Sequence, residues 1–136
     1  MKKNNMGLIS IVFGYESASK RNAEAYGLLN YGFSNYKLVT AYNKGDIIKI
    51  INNPCYKKEV NIILLSDLSY ICKVNDVIKH NTSYSYEIID NSVEGIINLY
   101  DENNNLLSNA SIKSSEKIVK RNLFEMMMYI LNICFF

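Results

Sequence analysis

Hydrophobic and polar positions divide the chain into three stretches of different period. From Leu8 to Phe13 apolar residues run almost unbroken and include the β-branched Ile9, Ile11 and Val12, a pattern that predicts a strand covered on both faces. Gly14 ends the run. Ser17 or Ser19 can cap a helix, and Glu24 and the alanines favour helix beyond it. Ala18, Ala25, Leu28 and Leu29 fall on one face, and Gly32 suits a left-handed stop. One strand and one helix are too little for a domain, so the segment 1–35 reads as a remnant of a larger fold.

From Tyr36 the period shortens. Seven β-prone runs follow, separated by turn residues: Tyr36 to Tyr42, Ile47 to Ile51, Glu59 to Leu65, Tyr70 to Val74, Ser83 to Ile89, Gly95 to Tyr100 and Leu106 to Ile112. Asn43-Lys44-Gly45-Asp46 and Asp101-Glu102-Asn103-Asn104-Asn105 are turn signals, the second joining a terminal hairpin. This spacing predicts a small antiparallel β sandwich or barrel over 36–113 and an α+β protein as a whole.

The last stretch, 114–136, returns to a helical pattern. Ser114 or Ser115 can cap it, Glu116 suits its first turn, and Ile118 to Phe136 reads as helix. Lys117, Arg121, Glu125 and Asn132 make one narrow polar face, and nearly everything else from Leu123 on is apolar. A spanning helix needs about 20 apolar residues, which this run does not supply. A bulky apolar face with a basic edge suits a helix lying on a membrane surface, favoured here over docking on the chain's own core. Leu123, Phe124, Met127, Ile130, Leu131, Cys134 and Phe135 are the expected membrane contacts.

Composition adds mostly exclusions. With 15 basic and 13 acidic residues in 136, the net charge is +2, which gives no strong pull toward nucleic acid. Cys55, Cys72 and Cys134 are an odd, dispersed set: no disulfide framework is expected, and although Cys55 and Cys72 could pair if their strands were adjacent, plain buried thiols are the favoured reading. The single His80 cannot anchor a zinc site with cysteines so spread, and neither metal nor cofactor is expected. Lys2-Lys3 followed by Met6 to Phe13 imitates a signal peptide, but the apolar run is short and no small-residue cleavage site follows. The chain made as it stands is therefore expected in the cytoplasm. Tyr84-Ser85-Tyr86 places two tyrosines on one strand face, which reads as sheet packing rather than a base-stacking platform.

The order of these segments resembles the C-terminal half of the serine-type D-alanyl-D-alanine carboxypeptidases, the low-molecular-weight penicillin-binding proteins of peptidase family S11. The resemblance rests on Lys2-Lys3-Asn4-Asn5-Met6-Gly7-Leu8-Ile9-Ser10-Ile11-Val12-Phe13-Gly14 and then on Arg21, Glu24, Leu28, Leu29, Tyr31, Gly32 and Phe33 at matching spacing. Gly95-Ile96-Ile97-Asn98-Leu99-Tyr100-Asp101 is similar to the last hairpin of the family's small β domain, but only the glycine of the usual approach, Ile89 to Gly95, is kept. The resemblance implies peptidoglycan metabolism and a C-terminal amphipathic anchor on the outer face of the cytoplasmic membrane.

The family's hydrolase chemistry runs through an acyl-serine intermediate and needs Ser-x-x-Lys, Ser-x-Asn and Lys-Thr-Gly. A serine hydroxyl is a weak nucleophile without an adjacent base and an oxyanion hole. Ser-x-Asn and Lys-Thr-Gly are absent. Ser17-Ala18-Ser19-Lys20 and Ser114-Ser115-Glu116-Lys117 match the first motif, but both read as helix caps, and no catalytic residue is assigned. The sequence therefore reads as a truncated, non-catalytic stalk or interaction domain that meets a membrane surface and cell-wall proteins. The alternatives are one part of a split carboxypeptidase completed by a separate catalytic chain, or an unrelated membrane-surface β module.

Overall fold

A computed structural model describes residues 1–135. The elements run β1 (Lys2–Lys3), β2 (Met6–Gly7), α1 (Ala18–Asn35), β3 (Tyr36–Tyr42), β4 (Ile47–Ile51), β5 (Val60–Leu64), β6 (Leu68–Lys73), β7 (His80–Ile89), β8 (Ser92–Asp101), β9 (Leu106–Ser114) and α2 (Leu123–Phe135). The fold is α+β, with each of the seven β-prone runs expected from Tyr36 on present as a strand. The chain forms two compact units, residues 1–41 with 69–79, and residues 42–68 with the chain from His80 on.

The first unit corrects the expected buried strand. The chain opens as a small hairpin, with Lys2 opposite Gly7 and Lys3 opposite Met6, turned at Asn4 and Asn5, whose φ values are 50° and 61°. Asparagine tolerates this left-handed region better than most residues. Leu8 to Phe13 then belongs to no sheet. Its side chains alternate: Leu8, Ser10 and Val12 are half-buried, whereas Ile9, Ile11 and Phe13 are 91%, 70% and 85% exposed. A run covered on both faces needs neighbours on both faces, and among the described residues only one side is covered.

Ser17 caps α1, its Oγ accepting the Lys20 backbone N–H at 3.2 Å. The inward stripe is Ala25, Leu29, Gly32 and Phe33, half-buried at helical spacing; Ala18 and Leu28, expected on that face, are exposed. Gly32 is not a stop. It lies inside the helix, where a Cβ would sit 2.5 Å from Leu8 Cδ1, so glycine permits a close approach of Leu8. The helix runs on to Asn35, and the Tyr36 N–H that closes it on the Gly32 carbonyl already starts β3. β3 pairs with β6, and Thr40 and Ser69 share a hydroxyl hydrogen bond of 2.9 Å.

In the second unit β4-β5-β9-β8-β7 form one antiparallel sheet. Alternation puts Ile62, Leu64, Val93, Ile97, Leu99, Ala110 and Ile112 on its buried face. Each fully buried leucine or isoleucine contributes about 1.5–3 kcal/mol relative to exposure. Gly95 stands opposite Tyr86, and a Cβ there would meet the Ser85 carbonyl oxygen and lie 2.7 Å from Tyr86 Cα. Only glycine allows β7 and β8 to come this close.

Both expected turns form. Gly45 takes φ 91° and Asp46 N–H donates to the Asn43 carbonyl at 3.1 Å. At the hairpin, Asp101 Oδ1 accepts the backbone N–H of Asn103 and Asn105, each at 2.8 Å, and Asn104 takes φ 60°.

Candidate functional site

Residues 114–122 do not follow the expected helix. Ser114 is the buried last residue of β9; its Oγ accepts the Val93 N–H at 3.1 Å and lies 3.0 Å from the Ser92 hydroxyl. Ser115 donates its backbone N–H to the Asn61 carbonyl, continuing the β5–β9 ladder. Ile118 is 4% exposed and donates its N–H to the Asn91 carbonyl at 2.6 Å. Burial of Ile118 and these non-helical bonds hold the link extended past the serines, so neither serine caps a helix.

The cap is Asn122. Its Oδ1 accepts the Glu125 N–H at 2.8 Å, and Glu125 Oε2 accepts the Asn122 N–H at 3.0 Å, a reciprocal capping box. Lys57 Nζ reaches Glu125 Oε1 at 2.6 Å. This hydrogen bond with Lys57, then the bond from the Asn122 backbone, lowers the Glu125 pKa from its ordinary value.

Lys57 comes from the loop between β4 and β5, and that loop is tied to the link. Lys57 N–H donates to the Val119 carbonyl and Arg121 N–H to the Cys55 carbonyl, both at 2.8 Å, and Tyr56 bridges Lys120. Arg121 Nε donates to the Tyr56 carbonyl at 2.9 Å, and its guanidinium lies 4.0 Å from the Tyr129 ring centre. The start of α2 is thus clamped at a cluster of Lys57, Lys58, Lys120 and Arg121.

Beyond the clamp α2 is almost bare. No residue of it is fully buried, and only Glu125, Met126 and Tyr129 are half-buried. The seven expected contact residues, Leu123, Phe124, Met127, Ile130, Leu131, Cys134 and Phe135, are all exposed, with Leu123 at 89% and Phe135 at 75%. The expected polar face is partly lost, because Lys117 and Arg121 precede the helix; Phe136 lies outside the described residues. A groove along α2 is lined by Phe124, Met128, Leu131 and Phe135, with Lys57 and Arg121 at one end. No helix is long and apolar enough to cross a membrane among the described residues.

The basic loop was not legible as part of this surface, because Lys57 and Glu125 are 68 residues apart. The local signal that could have found the cap was Asn-x-x-Glu immediately before and within an apolar run.

The Ser-x-x-Lys matches are structural. Ser17 spends its oxygen on a helix cap and Ser114 on the sheet. Cys55, Cys72 and Cys134 are free thiols, with Cys72 buried. No cluster of metal-ligating side chains occurs among the described residues. Tyr84 and Tyr86 share the face predicted for them, their rings 6.4 Å apart and 21° from parallel. Comparison with protein-family models and with curated proteins finds no match.

Proposed function

We propose that this chain is a non-catalytic, membrane-surface module of a D-alanyl-D-alanine carboxypeptidase-like protein of peptidoglycan metabolism. The observation that carries the membrane part is α2, a helix clamped at its start and exposing Leu123, Phe124, Ile130, Ile133 and Phe135. Such a patch on a folded protein marks an interaction surface. The family part rests on the sequence resemblance of residues 2–33. The non-catalytic part is supported by the two Ser-x-x-Lys serines, each engaged with backbone N–H groups and neither with a lysine ammonium.

A second reading, one half of a split enzyme, is favoured by the uncovered side chains of Ile9, Ile11 and Phe13. That row is where a strand from a catalytic chain would be expected to pack. A labelled β-lactam tests both. The isolated chain is expected to remain unlabelled. Labelling of the isolated chain overturns the non-catalytic reading, and labelling only with a co-expressed catalytic chain favours the split enzyme.

A further inference from the structure

The base of α2 carries more than one apolar helix would need. Four basic residues from two distant segments gather there: Lys57 and Lys58 from the β4–β5 loop, Lys120 and Arg121 from the link. Glu125 pairs directly with Lys57 and acts more weakly, through its charge, on Arg121. Glu59, the acid next to Lys58, accepts a 3.2 Å hydrogen bond from Asn52 Nδ2. Lys58 and Lys120 are exposed and, among the described residues, make no ion pair. Arg121 is held by one nitrogen and one ring, and among the described residues its terminal N–H groups make no hydrogen bond.

We propose that this cluster selects an anionic lipid surface, so that α2 supplies apolar insertion and the β4–β5 loop with the link supplies headgroup recognition. The inference rests on the membrane-surface reading of α2 given above and goes beyond it by naming the lipid class and the residues that choose it. The argument is charge complementarity at a fixed place. Backbone bonds from Lys57 to Val119 and from Arg121 to Cys55 hold the cations at the entry of the helix, where the chain would meet the headgroups as α2 lies down. An anionic surface attracts such residues, and each lysine or arginine near it is worth about fivefold in affinity. A zwitterionic surface gives no such gain.

The test is co-sedimentation of the full chain with vesicles of phosphatidylcholine alone and of phosphatidylcholine mixed equally with phosphatidylglycerol. Binding to both is expected, stronger by at least about 25-fold on the anionic vesicles and falling steeply with salt. The double substitution Lys58→Gln with Lys120→Gln should lower anionic binding by about 25-fold and leave neutral binding unchanged. Phe124→Ser with Leu131→Ser should weaken binding to both. Equal binding of the unmodified chain to the two vesicles overturns lipid selection and leaves the membrane reading standing. Full anionic preference in the lysine variant also overturns it. Absence of binding to either vesicle overturns the membrane reading beneath it.

Discussion

Lys49 holds its ammonium 4.9 Å from the ring centre of Tyr84, although the two residues belong to opposite edge strands of the five-stranded sheet. The contact requires the sheet to curl until β4 approaches β7. Register explains which face closes: Lys49 stands opposite the fully buried Ile62, and Tyr84 opposite the buried Ile97. All four therefore belong to the concave face. Tyr86 follows on the same face, with the same ammonium 5.6 Å from its ring. The sheet is a half-barrel whose open side is bridged by a cation and two aromatic rings rather than by further strand pairing.

That bridge has a pH signature. The hydrogen bond with Tyr84 raises the Lys49 pKa above its ordinary 10.5. A group whose pKa is raised on folding contributes stability that is fully present below the unfolded value and lost as pH rises through the folded one. Lys49→Met should therefore lower the thermal midpoint at neutral pH, and the difference from the parent should shrink above pH about 10.5. Parallel melts across the alkaline range measure it; a constant difference at all pH values would remove the ammonium from the account.

Gly95 should be the least replaceable glycine of the chain. An added Cβ would meet backbone, the Ser85 carbonyl and Tyr86 Cα, neither of which moves without disturbing the β7–β8 ladder. Gly95→Ala is expected to destabilise by about 1–3 kcal/mol, as overpacking does. Gly27, in α1, has open space within 4 Å of the point a methyl group would occupy, and Gly27→Ala should stabilise by about 0.5–1 kcal/mol through helix propensity. Urea unfolding of both variants gives opposite shifts of midpoint if this is right.

Much of the second unit was legible because its signals are local. Ile47–Ile51 has the bounds its apolar run predicts, and Asn43 to Asp46 turns where glycine and the Asp46 carboxylate are available. Leu8 to Phe13 was not legible, since a run of apolar residues states that a strand would suit it but not that a neighbour exists. Ser114 was misread for a related reason: a serine before a helical pattern resembles a cap until the sheet claims its oxygen for Val93. Gly32 marked a close approach rather than a stop, which depends on where Leu8 lies. Each correction concerns a partner remote in sequence.

The three thiols should separate by burial. Cys55 and Cys134 are exposed, and Cys72 is 6% exposed within β6. A thiol reagent under native conditions should modify two cysteines per chain quickly and the third only on unfolding. Peptide mapping of the labelled sites checks the assignment, and rapid native labelling of Cys72 would show that β6 opens easily.

The start of α2 should be acid-sensitive. The Lys57 ammonium and the Asn122 N–H hold Glu125 ionised and lower its pKa from 4.5. A group whose pKa is depressed on folding contributes stability above the unfolded value and loses it as pH falls through the folded one. Protonation removes the charge that Lys57 binds and weakens the acceptor for Asn122, so of the first turn's anchors only the Asn122 Oδ1 bond to the Glu125 N–H is unaffected. The Lys57 and Arg121 cations then lose the carboxylate charge beside them. Amide exchange of Glu125 and Met126 should therefore accelerate below pH about 4.5, relative to the intrinsic rate, ahead of the core amides of Ile97 and Ile112. In Glu125→Gln the same amides should already be less protected at neutral pH and show no further acid step. Protection that survives unchanged in this variant would mean that the loop clamp through Val119 and Cys55 alone sets the start of α2.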